Sequence, residues 1–146
     1  MCGIIGVIQT RQAASISRNL KGFFQQDLYA DAVRGWDATG IVAVPFDKDK
    51  AEEPVTCFKK AYTSSDFLQL DYTQSLINDW TNYKFWIGHN RAATFAKGQA
   101  YHKHAHPFQH GHISMVHNGT LKNMYTLPKG NMFTVDSDAI SHALGS

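Results

Sequence analysis

Cysteine at position 2 is the first residue whose place in the chain suggests chemistry. A small residue after the initiator methionine permits removal of Met1, which leaves Cys2 with a free α-amine next to its thiol. Amines of this kind and thiols both titrate within about two units of neutral pH, so one residue can supply nucleophile and general base together. A buried cysteine acting as a small hydrophobe is the plain alternative. The second concentration of chemistry is histidine. Six histidines lie between His102 and His117, and His102-Lys103-His104-Ala105-His106 alternates like ligands on one side of a strand. That pattern suits a metal-binding module. No carboxylate lies between His89 and His117 to complete a hydrolytic set, and Cys57 is remote in sequence.

These residues need a scaffold, and the bulk composition allows one. A chain of 146 residues with 43% hydrophobic and 18% charged content suits one soluble domain with a core that needs no staples. The net charge of +2, with scattered lysines and arginines, gives no reason to expect nucleic acid. Two cysteines do not make a disulfide framework. The apolar start stops at Gln9-Thr10-Arg11, too short for a signal peptide or a membrane span. A cytoplasmic protein without a membrane partner is expected.

Gly3 to Gln9 reads as a short buried strand carrying Cys2 at its mouth. From Gln12 to Val33, Ile16, Leu20, Phe23, Phe24 and Leu28 recur at helical spacing. The loop Arg34-Gly35-Trp36-Asp37-Ala38-Thr39-Gly40 follows, its two glycines marking constrained backbone. Residues 41–46 and 55–61 pair as strands around a charged turn, and Ser64 or Ser65 caps a short helix to Leu70. A second helix covers 72–80, and a strand covers 84–93. Another strand over 112–117 ends at Asn118-Gly119, a hairpin-type turn signal. A last strand at 132–135 precedes a helix over 137–144. The content is mixed α and β, with neighbouring strands close enough for antiparallel pairing.

Five segments, taken in order with the terminal cysteine, resemble the class II glutamine amidotransferases, a family of N-terminal-nucleophile hydrolases. Cys2-Gly3-Ile4-Ile5-Gly6 is similar to the family's start. The Arg34–Gly40 loop resembles its Arg-Gly-x-Asp-Ser-x-Gly segment, and Gly88-His89-Asn90-Arg91-Ala92-Ala93-Thr94 its Gly-His-Thr-Arg-Trp-Ala-Thr segment. His106-Pro107 and His117-Asn118-Gly119 match its His-Pro and His-Asn-Gly pieces, and Asp136-Ser137-Asp138 resembles its Asp-Thr-Glu. Two positions depart from the pattern: Ala92 stands for a tryptophan and Phe95 for a histidine.

The resemblance implies a single α+β domain over residues 1–146, an αββα N-terminal-nucleophile sandwich. Family domains are usually longer, so strands at the C-terminal end are expected to be missing. It implies hydrolysis of glutamine by Cys2, without cofactor or metal, through a γ-glutamyl thioester. Asn118 and the Gly119 N–H would form an oxyanion hole. Arg91 would grip the substrate carboxylate in a bidentate fork and Asp136 its ammonium. Thr94 and Arg34 complete the substrate-binding set, and a separate synthase would accept the ammonia. The plain counterparts are a surface ion-pair arginine, a hairpin Asn-Gly turn and a helix N-cap aspartate. Two other functional classes stay open: the His-rich metal module, and a catalytically inactive relative that binds a partner.

Overall fold

The structure is a computed structural model and describes residues 1–16, 18–47, 55–93 and 102–146. Its main sheet has four antiparallel strands in the order β1-β4-β2-β3. They are β1 (Gly3–Ile8), β2 (Ala38–Pro45), β3 (Thr56–Lys60) and β4 (Tyr83–Arg91). The central pair, β2 and β4, runs from Ala38 opposite Arg91 to Pro45 opposite Tyr83. Alternation of side chains across these strands sends Ile41, Ala43 and Trp86 to one face and Gly40, His89 and Arg91 to the other.

The first face takes the helices. These are α1 (Arg11–Ile16), α2 (Arg18–Ala30), α3 (Ser64–Gln69) and α4 (Asp71–Asn78). The α2 residues Phe24 and Leu28 are fully buried against Ile41, Phe67, Ile77, Trp80 and Trp86. Trp80 and Trp86 stack with ring centroids 4.6 Å apart. Burying such a side chain contributes roughly 1.5–3 kcal/mol, so this cluster anchors the sheet. Phe23, on the same period, stays 56% exposed because it points away from the sheet. The cap of α3 is Thr63, whose Oγ1 accepts from the Asp66 N–H at 3.3 Å, rather than Ser64 or Ser65.

The second face receives a two-stranded hairpin, β5 (Phe108–His110) with β6 (Ile113–Met115), and the terminal helix α5 (Asp136–Gly145) packs on that hairpin. The turn runs through Gly111 at φ 54°, and a Cβ there would lie 2.5 Å from the Gly145 carbonyl oxygen. Only glycine fits both conditions. Strand β5 was not evident from sequence, and the strand expected over 112–117 is confined to Ile113–Met115. The strand expected at 132–135 does not form. Residues Gly130–Met132 make a 3-10 turn, and among the described residues no strand lies beside the segment to pair with it. Mixed helix and sheet with antiparallel pairing agrees with the α+β expectation.

Candidate active site

The mouth of β1 is where the candidate residues meet. Gly3 lies opposite Asn90, so continuing the register places Cys2 across from Arg91. The Cys2 thiol rests against the backbone of Ala92, accepting from its N–H at 3.4 Å and donating to its carbonyl at 3.8 Å. The Cys2 N–H donates to Asn118 Oδ1 at 3.2 Å, a contact across 116 residues of sequence. Its carbonyl accepts from Arg34 Nε at 3.2 Å. Cys2, Arg34 and Asn118 therefore converge, although Asn118-Gly119 reverses no hairpin. Strand β6 ends at Met115, and the chain beyond it crosses to Cys2.

The loops around this point are fastened by their own hydrogen bonds. Asp37 N–H donates to the Arg91 carbonyl at 3.0 Å, and Asp37 Oδ2 accepts from Ala93 N–H at 2.6 Å. Gly35 lies against the same peptide, where a Cβ would collide with the Ala92 nitrogen and the Arg91 carbonyl carbon. Arg34 is also 3.5 Å from Asp31, whose carboxyl is held above its usual range, chiefly by burial. Asp136 Oδ2 accepts from Leu121 N–H at 2.6 Å and Oδ1 from Ser137 N–H at 2.9 Å. Ser137 Oγ in turn lies 3.0 Å from His117 Nδ1. Asp136 and Ser137 thus pin the 117–121 segment to the start of α5, and its tie to Cys2 runs through that segment. Thr94 lies outside the described residues. The roles of Asp37, Gly35 and the Ala92 backbone went unread in the sequence; the glycines of the Arg34–Gly40 loop were the only signal for them.

Arg91 leaves the sheet on the same side as His89, and behind it lies a buried histidine pair. His89 and His106 stack with centroids 4.1 Å apart, and both are almost completely shielded from solvent. His89 Nε2 lies 3.3 Å from the His117 carbonyl, so that nitrogen carries the proton it donates. Burial pushes His89 down to about 4 and His106 down to about 2, and the nearby Arg91 charge acts in the same direction. Both rings are neutral.

The histidine run has no common target. His102–His104 forms a 3-10 turn, not a strand, and His102 Nδ1 accepts from Ala61 N–H at 2.9 Å. His110 Nε2 meets Asp138 Oδ1 at 2.7 Å. Among the described residues no group of three or more His, Cys, Asp or Glu side chains is arranged to hold a metal ion. No helix among them is long and apolar enough to cross a membrane.

No family model matches the chain. It is similar along nearly its whole length to proteins named glutamine–fructose-6-phosphate aminotransferase (isomerizing). The Sulfurisphaera tokodaii protein is 28% identical over 158 aligned positions, covering 99% of this chain and 23% of the relative. That of Sulfolobus acidocaldarius is 28% identical over 143 positions, covering 94% and 22%. That of Listeria monocytogenes is 32% identical over 143 positions, covering 94% and 20%. The chain spans about a fifth of the length of these relatives. The similarity bears out the resemblance of this chain to the class II glutamine amidotransferases, the N-terminal-nucleophile hydrolases.

Proposed function

We propose that this chain hydrolyses the side-chain amide of glutamine, with Cys2 as nucleophile once Met1 has been removed. The observation that carries the reading is the Cys2–Asn118 contact of 3.2 Å beside a thiol seated on the Ala92 backbone. With Met1 gone, the Cys2 nitrogen becomes an amine, and Asn118 Oδ1 orients it toward its own sulfur. The amine takes the thiol proton, directly or through a water, and the sulfur attacks the amide carbon. Because Asn118 Oδ1 serves the amine, its Nδ2 hydrogens are left to steady the oxyanion, together with the Gly119 N–H. The proton held by the amine passes to the leaving nitrogen, ammonia departs, and water hydrolyses the γ-glutamyl thioester to glutamate.

Arg91 would receive the substrate carboxylate. It stands at the end of β4 beside neutral histidines, so a bound anion meets a cation with no competing charge from that pair. Asp136 would receive the ammonium on the lone pairs that its backbone contacts leave. Arg34 holds the Cys2 carbonyl and keeps the chain terminus in register, and Thr94 belongs to the substrate pocket. The ammonia would pass to a separate acceptor, a synthase domain or subunit. A single domain over 1–146, built toward an αββα sandwich and acting in the cytoplasm, goes with this reading.

The test is glutamate release from glutamine by the Met1-free chain and by Cys2→Ala. Loss of activity in the variant, with circular dichroism and melting temperature unchanged, is the expected result. Substantial glutamate release by Cys2→Ala would remove Cys2 from the reaction.

A further inference from the structure

Lys59, Gly40 and His89 stand in one row across the main sheet. Gly40 lies opposite Lys59 in the β2–β3 pairing and opposite His89 in the β2–β4 pairing. Residues directly opposite one another share a face, so all three belong to the second face. The middle member has no side chain, and the slot it leaves is filled by the chain at His106-Pro107. A Cβ on Gly40 would run into the His106 carbonyl oxygen and lie 2.9 Å from Pro107 Cδ. Each flanking side chain takes hold of this segment. Lys59 Nζ donates to the Pro107 carbonyl at 2.8 Å and sits 4.2 Å from the centre of the Phe108 ring. His89 stacks on the His106 ring with centroids 4.1 Å apart. Burial holds the Lys59 amine below its ordinary pKa, as suits a tip enclosed by these contacts.

What this row controls follows from how little else fixes the two rings. His106 is buried, and neither of its ring nitrogens has a hydrogen-bond partner among the described residues. Its place is therefore set by stacking and by its own backbone, which Lys59 holds at the next residue. His89 has one polar tether, from Nε2 to the His117 carbonyl at 3.3 Å, and its Nδ1 has none among the described residues. Hydrogen bonds are directional, so a tilt of the His89 ring carries the His117 carbonyl with it. That carbonyl shares a rigid peptide plane with the Asn118 N–H. Asn118 Oδ1 in turn meets the Cys2 nitrogen. We infer that Lys59 is a positioning residue for Asn118, acting through the His106–His89 stack. It does so from β3, at the opposite edge of the sheet from the strand that follows Cys2. Asp136 and Ser137 hold the same segment from α5, so without Lys59 the segment stays attached but is displaced. The kinetic consequence rests on the glutaminase reading above; the structural one does not.

Three variants of the full, Met1-free chain test this. Lys59→Met keeps the aliphatic stem and removes the donor, and Lys59→Arg restores a donor. Lys60→Met is the control, because Lys60 Nζ lies 5.5 Å from the centre of the Phe58 ring, which packs on the helix-covered core. One readout is NMR of the His89 ring N–H and of the Asn118 and Gly119 amides. The other is glutamate release, assayed well below each variant's melting temperature. Lys59→Met is expected to shift the three signals. It should lower kcat about ten- to a hundredfold with KM within about twofold, because the oxyanion donors are displaced and Arg91 is not. Lys59→Arg should bring both readouts back toward the parent, and Lys60→Met should leave both unchanged. A lysine that only stabilises the fold would lower the melting temperature and nothing else, and that result overturns the inference. Unmoved signals in Lys59→Met, a raised KM in place of a lowered kcat, or equal effects in Lys60→Met overturn it too. Should Lys59→Met not fold, Lys59→Gln, with its shorter side chain, is read in the same way. A parent chain that releases no glutamate sinks the glutaminase reading alone, and the NMR signals then decide whether Lys59 positions Asn118.

Discussion

The buried histidine pair makes the fold acid-labile, and one substitution should remove half of the effect. His89 and His106 titrate at about 4 and about 2 in the folded chain, both below the 6.5 of an ordinary histidine. The groups facing them are Arg91, Lys59 and His117, none of which welcomes a second positive charge. As pH falls below about 6.5 the unfolded chain takes up two protons that the folded chain refuses, so stability is full above that pH and declines beneath it. At pH 5 the unfolded rings sit about 1.5 units past their midpoint, and at 1.36 kcal/mol per unit each contributes a loss of about 2 kcal/mol. Together they remove about 4 kcal/mol from a total that is typically 5–15 kcal/mol. His106→Phe keeps an aromatic ring against His89 and Phe108, which His106 meets at 4.1 and 4.8 Å between centroids. It has no nitrogen to titrate. Urea unfolding at pH 7.5 and pH 5 should therefore show a drop of about 4 kcal/mol in the parent chain and about 2 kcal/mol in the variant. Carboxylates contribute equally to both chains and cancel in the comparison. Equal drops in the two proteins, or a parent chain that gains stability toward pH 5, would refute the account of the pair.

Three further outcomes follow from the site. Retaining Met1, by an uncleaved N-terminal extension, turns the Cys2 amine into an amide nitrogen and should abolish glutaminase activity; full activity in protein shown by mass spectrometry to keep Met1 would refute the amine as base. Arg91→Lys keeps the charge but loses the bidentate fork, worth roughly 1.5–3 kcal/mol, so KM for glutamine should rise about ten- to a hundredfold with kcat little changed. A surface ion-pair arginine would instead leave KM where it was. Gly35→Ala forces a methyl into the Arg91–Ala92 peptide, so the urea midpoint should report a loss of about 1–3 kcal/mol and kcat should fall with it. An unchanged midpoint would mean that the close approach of these two loops is not required.

What the sequence made legible was local and periodic. The uncharged run of β1, the helical spacing of Phe24 and Leu28, and the two strands flanking the charged turn all appear where their patterns place them. Each is decided within a few residues of itself. Strand β5 escaped because three residues inside a histidine run carry no alternation long enough to read; it exists through its packing on the sheet, where the His106 carbonyl meets Gly40. The burial of His89 and His106 escaped for a related reason. Histidine reads as polar in any hydropathy pattern, and only the partner ring, 17 residues away in sequence, makes burial tolerable.

Asn118-Gly119 shows where local reading divides. The dipeptide is a turn signal by its own chemistry, and nothing nearby says that its side chain will be used on a residue 116 positions earlier. The resemblance to a family supplied that link; spacing alone did not. Even so, the groups nearest the sulfur are the N–H and C=O of Ala92, the place where a family tryptophan is replaced. A backbone contact is indifferent to the side chain that the residue carries. The seat of the thiol can therefore persist through that replacement, while packing against the substrate beside Arg91 cannot. Side-chain identity at position 92 should accordingly matter for KM and not for the reactivity of Cys2. Ala92→Trp tests the separation, and a change in the alkylation rate of the Cys2 thiol without a change in KM would reverse it.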